Sequence, residues 1–194
     1  MKIVQLLGSP RKKSNSSALS SIIAETVEHE QKEVITHTLN KLNFKGCQAC
    51  MACKGKSEVC ILKDDLTKVL QDVTEADIII MATPVYWGDI SAQLKTFIDR
   101  SYSYLMPNFL ENEKKHRLPG GKRLVFIQTQ GAPEDMYDEI FERYNFFFKF
   151  LDYFEETHYL RACNQSPEIQ ISEQPELILQ AEEIGRNLSA TTVV

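Results

Sequence analysis

Four of the five cysteines, Cys47, Cys50, Cys53 and Cys60, stand in the spacing C-x2-C-x2-C-x6-C. Three thiolates three residues apart can wrap one corner of a metal cluster. A fourth, a short loop later, completes the four-sulfur donor set of a [4Fe-4S] cluster. Zinc accepts the same donors, and a set of reduced thiols is the third state open to these residues. Gly46, Ala49, Ala52 and Gly55 leave room around them. Cys163 lies far off and reads as a small buried hydrophobe.

A second chemical signal lies at the N-terminal end. An apolar run, Lys2–Leu7, stops at Gly8, and Ser9-Pro10-Arg11-Lys12-Lys13-Ser14-Asn15-Ser16-Ser17 follows. A helix beginning near Asn15 presents unpaired N–H groups and a partial positive charge, which suit an anion. The dipole supplies only about 0.3–1 kcal/mol, so hydroxyls and Arg11 must add charge-assisted bonds. The stretch is neither a Walker A loop nor GxGxxG, since Gly8 is its one glycine. A plain helix cap needs one Ser or Asn, not five such residues. Lys12 and Lys13 read as solvated cations that raise the local positive potential.

The third signal is Thr83-Pro84-Val85-Tyr86-Trp87-Gly88-Asp89-Ile90, where an apolar strand runs into two large aromatics. Offset stacking on a flat heteroaromatic ring is worth about 0.5–1.5 kcal/mol beyond burial, and Gly88 would let the backbone approach closely. The same aromatics could instead pack beneath the following helix. Thr129-Gln130-Gly131-Ala132-Pro133 ends another strand with small residues and free amides that can meet a polar ring edge. The four histidines, at 29, 37, 116 and 158, form no metal spacing. Asp64 and Asp65 read as the start of a helix, favoured by its dipole.

These loops need a frame. Apolar β-branched runs alternate with helical patterns: strands at 2–7, 33–39, 77–82, 123–128 and 155–161, and helices at 15–29, 65–74, 92–105, 134–152 and 174–188. Nearly continuous apolar strands imply parallel neighbours covered on both faces. The expectation is one α/β domain over 1–194, a doubly wound sheet of five parallel strands in the order 2-1-3-4-5 with the ligand at the switch between strands 1 and 3. The cysteine-rich loop, 44–63, follows strand 2 and should reach the same sheet edge. The loop 107–121 is long for such a connection and reads as a lid or a surface loop. Tyr144–Leu151 puts aromatics around more than one helix face, which suggests a subunit interface.

With 43% hydrophobic and 25% charged residues the composition is that of an ordinary globular protein. A net charge of −5 argues against a nucleic-acid or anionic-membrane partner. Apolar runs fall short of a bilayer span, and the start is too short and polar for a signal peptide. The expected compartment is the cytosol, where clustered cysteines are thiols or metal ligands rather than disulfides.

Gly8-Ser9-Pro10-Arg11-x3-Asn15-Ser16 together with Thr83-Pro84-Val85-Tyr86-Trp87-Gly88 resembles the NAD(P)H-dependent FMN reductase group of the flavodoxin-like fold. Lys45-Gly46-Cys47-Gln48-Ala49-Cys50 … Cys60-Ile61-Leu62-Lys63-Asp64-Asp65 is similar to the segment before helix 2 in iron–sulfur flavoproteins and their cluster-free relatives. The resemblance covers roughly residues 1–165. It implies that Ser9, Arg11, Asn15, Ser16 and Ser17 take the FMN phosphate, and that Thr83, Pro84, Val85, Tyr86, Trp87 and Gly88 line the isoalloxazine. Thr129 and Gly131 would lie at its far edge. It further implies hydride transfer from NADH or NADPH to a flavin or quinone-type acceptor, with the flavin carrying the chemistry. A ferredoxin-like protein donor, and a homodimer or homotetramer with FMN near the subunit boundary, belong to the same picture. A [4Fe-4S] cluster at Cys47, Cys50, Cys53 and Cys60 would make the chain an iron–sulfur flavoprotein. From another class, a non-enzymatic electron carrier or thiol redox sensor with bound FMN fits the same residues.

Overall fold

The computed structural model describes residues 1–190. Strands β1 (Lys2–Leu7), β2 (Glu33–Thr38), β3 (Ile78–Tyr86), β5 (Arg123–Thr129) and β6 (Glu156–Ala162) form a parallel sheet in the order β2-β1-β3-β5-β6. The short β4 (Asp89–Ile90) returns antiparallel on β3. The parallel order is the one expected, once β4 is set aside.

Helices α1 (Asn15–Thr26) and α5 (Pro175–Ala190) cover one face; α2 (Leu66–Glu75), α3 (Ala92–Arg100) and α4 (Glu139–Phe150) cover the other. Alternation along β3 divides its side chains between them. Ile78 and Ile80 pack with Leu19, Ile23 and Ala181, while Ile79 and Met81 pack with Val69, Leu94 and Phe141. This two-residue period on a strand buried on both sides is why the sequence there is apolar without a break.

Four boundaries differ from the sequence reading by more than two residues. β3 continues through Pro84 to Tyr86, because β5 beside it pairs as far as Pro84↔Thr129. Trp87 (φ 50) and Gly88 (φ 73) then form the two-residue turn to β4, a conformation that tight hairpins require at both central positions. α1 stops at Thr26, where the Lys32 ammonium donates to the Ala24, Glu25 and Val27 carbonyls. α4 starts only at Glu139, since the Gln130 amide holds the Ala132, Pro133 and Met136 carbonyls in a non-helical loop. α3 ends at Arg100 and tightens into a 3-10 turn, Ser101–Tyr104. No helix among the described residues is long and apolar enough to cross a membrane.

Candidate functional site

The phosphate-type loop and the ends of β3 and β5 meet at one edge of the sheet. Gly8 N–H donates to the Ala82 carbonyl at 2.8 Å, so the loop leaves β1 directly beside β3. A Cβ at Gly8 would lie 2.5 Å from Ser91 Oγ and 3.2 Å from the Ala82 oxygen, which leaves room for glycine alone. Ser91 is also the N-cap of α3, so the Gly8 packing and the start of that helix are linked.

A cavity of about 220 Å³ opens there, lined by Ser9, Arg11, Ser14, Asn15 and Ser16 on one side and by Pro84, Val85, Tyr86, Thr129 and Gly131 on the other. Ser9 and Ser16 are buried; Arg11 is exposed. Ser14 caps α1 by accepting from Ser17 N–H at 3.1 Å, and the first-turn amides ahead of Ser17 have no partner inside the helix. Hydroxyls, a guanidinium and those amides make a donor-rich end, while Pro84, Val85 and Tyr86 make a flatter, less polar one.

Nine of the expected flavin-site residues thus come together, and four do not. Ser17 turns to the outer side of the loop and pairs with Ser14 Oγ at 2.7 Å. Thr83 is wholly buried, accepting from Ser91 N–H and donating to the Pro84 carbonyl. Trp87, at 104% relative exposure, and Gly88 form the hairpin tip outside the cavity. Gln130, within the expected Thr129–Pro133 loop, lines the cavity as well, and so does Gln165, which was not expected. Gln165 Oε1 accepts from the Asn15 side-chain amide at 2.7 Å. The polar, aperiodic stretch Asn164–Pro167 after β6 was the available signal for it.

Cys47, Cys50, Cys53 and Cys60 line a separate cavity of about 230 Å³, walled further by Met51, Ile61, Leu62, Arg100 and Tyr102. All five cysteines are free thiols. The two cavities share no lining residue. The cysteine segment leans on the C-terminal end of α3 rather than on the loops around the first cavity. Asp64 does more than begin a helix: it accepts from Lys45 N–H at 3.1 Å and Leu66 N–H at 3.2 Å and pairs with Arg100 at 2.9 Å. Burial opposes its ionisation, but the Arg100 and backbone hydrogen bonds outweigh that and hold the carboxyl below its usual range. Lys54 donates to the Tyr102 and Leu105 carbonyls, and burial lowers its ammonium from the ordinary lysine range. The loop 107–121 lines neither cavity; Arg117 ties it to the Ser103 and Cys53 carbonyls and His116 to the Asp152 carbonyl. Cys163 is half-buried, which raises its thiol.

Comparison with known families places this geometry. Residues 1–136 match the model of the NADPH-dependent FMN reductases. The chain belongs to that family. Within it, an iron–sulfur flavoprotein of Archaeoglobus fulgidus is 38% identical over 136 residues, 70% of this chain and 59% of that protein. Another from Methanocaldococcus jannaschii is 34% identical over 152 residues, covering 76% of this chain and 72% of the relative. The chain spans similarly limited shares, 53% and 59%, of two further iron–sulfur flavoproteins. The FMN-dependent NADH-azoreductase of Bacillus anthracis, solved with FMN, shares the fold with a TM-score of 0.72 over 97% of this FMN reductase-family chain and 100% of the azoreductase, at 14% identity.

Proposed function

We propose that the chain is an FMN-dependent oxidoreductase that accepts hydride from NADH or NADPH and delivers electrons to a small flavin- or quinone-type acceptor. We further propose that Cys47, Cys50, Cys53 and Cys60 carry a [4Fe-4S] cluster. The observation that carries the reading is the single cavity at the β1–β3 switch, with a hydroxyl- and guanidinium-lined end at the start of α1 and a Pro84–Tyr86 wall facing Thr129 and Gly131. Those two ends fit the two ends of FMN. Ser9, Arg11, Asn15 and Ser16 would hold the phosphate, with charge-assisted bonds from Arg11, while Ser17, whose N–H is taken up by the Ser14 cap, would hold the shape of the loop. Pro84, Val85 and Tyr86 would line the ring, with Thr129 and Gly131 at its far edge and Trp87 and Gly88 meeting it from the hairpin tip. Bound FMN supplies hydride acceptance and one-electron release. The residues' part is to anchor the phosphate, orient the ring and restrict water, and no protein base is required.

The donor set around the cysteine cavity is the one a [4Fe-4S] cluster takes. All four thiols are free and border one space. Among the described residues, no three His, Cys, Asp or Glu side chains are arranged to hold a metal ion, so the four thiols would have to draw together around the cluster. The name shared by several relatives, iron–sulfur flavoprotein, supports the same reading. The exposed Phe146, Phe147 and Phe150 on α4 support self-association, with Tyr144 and Phe148 of the same helix turned into the core.

Anaerobic purification followed by flavin, iron and sulfide analysis tests both parts. The expected product is yellow, with FMN, iron and sulfide bound together. A colourless protein that cannot be reconstituted with FMN overturns the oxidoreductase reading. FMN without iron after anaerobic reconstitution overturns the cluster. If neither nucleotide reduces the flavin while reduced ferredoxin does, the chain is an electron carrier instead.

A further inference from the structure

Arg100 is the largest side chain shut fully away from solvent, although it closes a helix, where an arginine ordinarily reaches water. Its donors are all engaged on the cysteine segment. Nη1 donates to the Lys45 carbonyl and to Asp64 Oδ2, both at 2.9 Å. Nη2 faces the Leu62 carbonyl at 3.4 Å and Asp64 Oδ1 at 3.3 Å. Nε donates to Cys60 Sγ at 3.1 Å. The carboxylate and carbonyls are partners any buried guanidinium would need. The sulfur is different: a neutral thiol is a weak acceptor, and a buried charged donor directed at it gains fully only when that sulfur carries negative charge. Lys54 and Arg117, the other cations nearby, hold backbone carbonyls; Lys54 also interacts with the neighbouring Cys53 thiol, which leaves Arg100 as the cation directed at Cys60.

Resting on the cluster reading above, we infer that Arg100 is a positioning residue that raises the reduction potential of a cluster held at Cys60. Asp64 fixes the guanidinium plane, so the Nε–H bond to Sγ is present before reduction and strengthens as charge on the sulfur grows. Hydrogen bonds to cluster sulfurs are an established lever on potential, and ligand-orienting partners outside the metal shell act the same way. The step is the gain of one electron, drawn from the reduced flavin or from dithionite in a titration. No bond forms or breaks, and the guanidinium stays protonated throughout.

Arg100→Lys tests this in the reconstituted holoprotein. It keeps a cation opposite Asp64 but has no Nε–H to offer Cys60. Iron content is measured first, then the cluster couple is titrated anaerobically by EPR and the flavin couple by absorbance. We expect wild-type iron content, an unchanged flavin potential, and a cluster about tenfold harder to reduce at a fixed potential, ~59 mV for a one-electron couple. Equal iron with an unmoved cluster potential overturns the inference and leaves Arg100 a strut for the loop. Wild-type protein that takes up no iron overturns the cluster reading itself, and the iron assay separates that failure from the first. Should the lysine variant lose its fold or its iron, pulsed EPR of reduced wild-type holoprotein labelled with 15N-arginine decides. A 15N coupling supports the Nε–H···S bond, and its absence overturns it.

Discussion

In the first cavity the walls are ends of parallel strands. Pro84 sits beside Thr129 in the sheet register, and the loop after Gly8 is tied to Ala82. The cysteine segment has almost no regular structure beyond a single 3-10 turn, Ala52–Lys54. It is held by side chains reaching in from elsewhere: Arg100 from α3, Arg117 from the long loop, and Lys54 reaching out to the 102–105 carbonyls. One site is a by-product of the sheet, so its geometry persists as long as the sheet does. The other depends on one buried guanidinium and a few half-buried charges, and a single substitution can release it.

That contrast is easiest to break at Arg100. Arg100→Ala should lower stability by about 3–5 kcal/mol, since it strips a buried pair of one partner and strands Asp64. Urea denaturation checks the magnitude, and alkylation of Cys60 under native conditions should accelerate. A loss under ~1 kcal/mol would mean that water reaches Asp64 freely and that the pair is a surface one.

The strand-built site has its own sensitive point. Gly8→Ala places a methyl 2.5 Å from Ser91 Oγ; overpacking of this kind costs about 1–3 kcal/mol. FMN affinity, followed by flavin fluorescence quenching, should fall with it, while cysteine alkylation stays at the wild-type rate. Parallel changes at both sites would show that the two regions are not independent.

Acid should separate the regions by a smaller margin. Asp64 is held below the usual carboxylate range in the folded chain. Its contribution is therefore complete above that range and is lost as pH falls through the depressed value. Cysteine alkylation, corrected for thiolate fraction, should rise as pH falls into that window, before the far-UV signal of the sheet changes. Coincident changes would contradict a separately held loop.

The smallest effect is expected at the hairpin tip. Trp87→Ala should leave stability within ~0.5 kcal/mol, as an exposed side chain allows. If the indole meets the flavin, the FMN dissociation constant should rise several-fold, matching the ~0.5–1.5 kcal/mol of ring stacking. An unchanged constant would exclude Trp87 from the ring wall.

The same division governs what could be read from the sequence. Sheet order and the first cavity were legible because apolar strands and Gly- or Ser-rich strand ends are local signals. The strand reading stopped short at Ala82: proline reads as a strand breaker, yet Pro84 occupies the last register of the pairing with β5, and β3 continues two residues further to Tyr86. Arg100 was illegible for a different reason. It is 40 residues from Cys60, and on an amphipathic helix an arginine looks like a surface cation. Asn15 likewise gave no hint of Gln165, 150 residues away. Local pattern writes the scaffold; partners brought together only by folding leave no periodic trace.

Trp87 is the one tryptophan in the chain, and it stands next to Tyr86 of the cavity wall. Indole emission overlaps flavin absorption, so the protein carries its own donor for resonance energy transfer to a bound isoalloxazine. Occupancy of the cavity can therefore be followed by the dimming of a single intrinsic fluorophore, with no label attached.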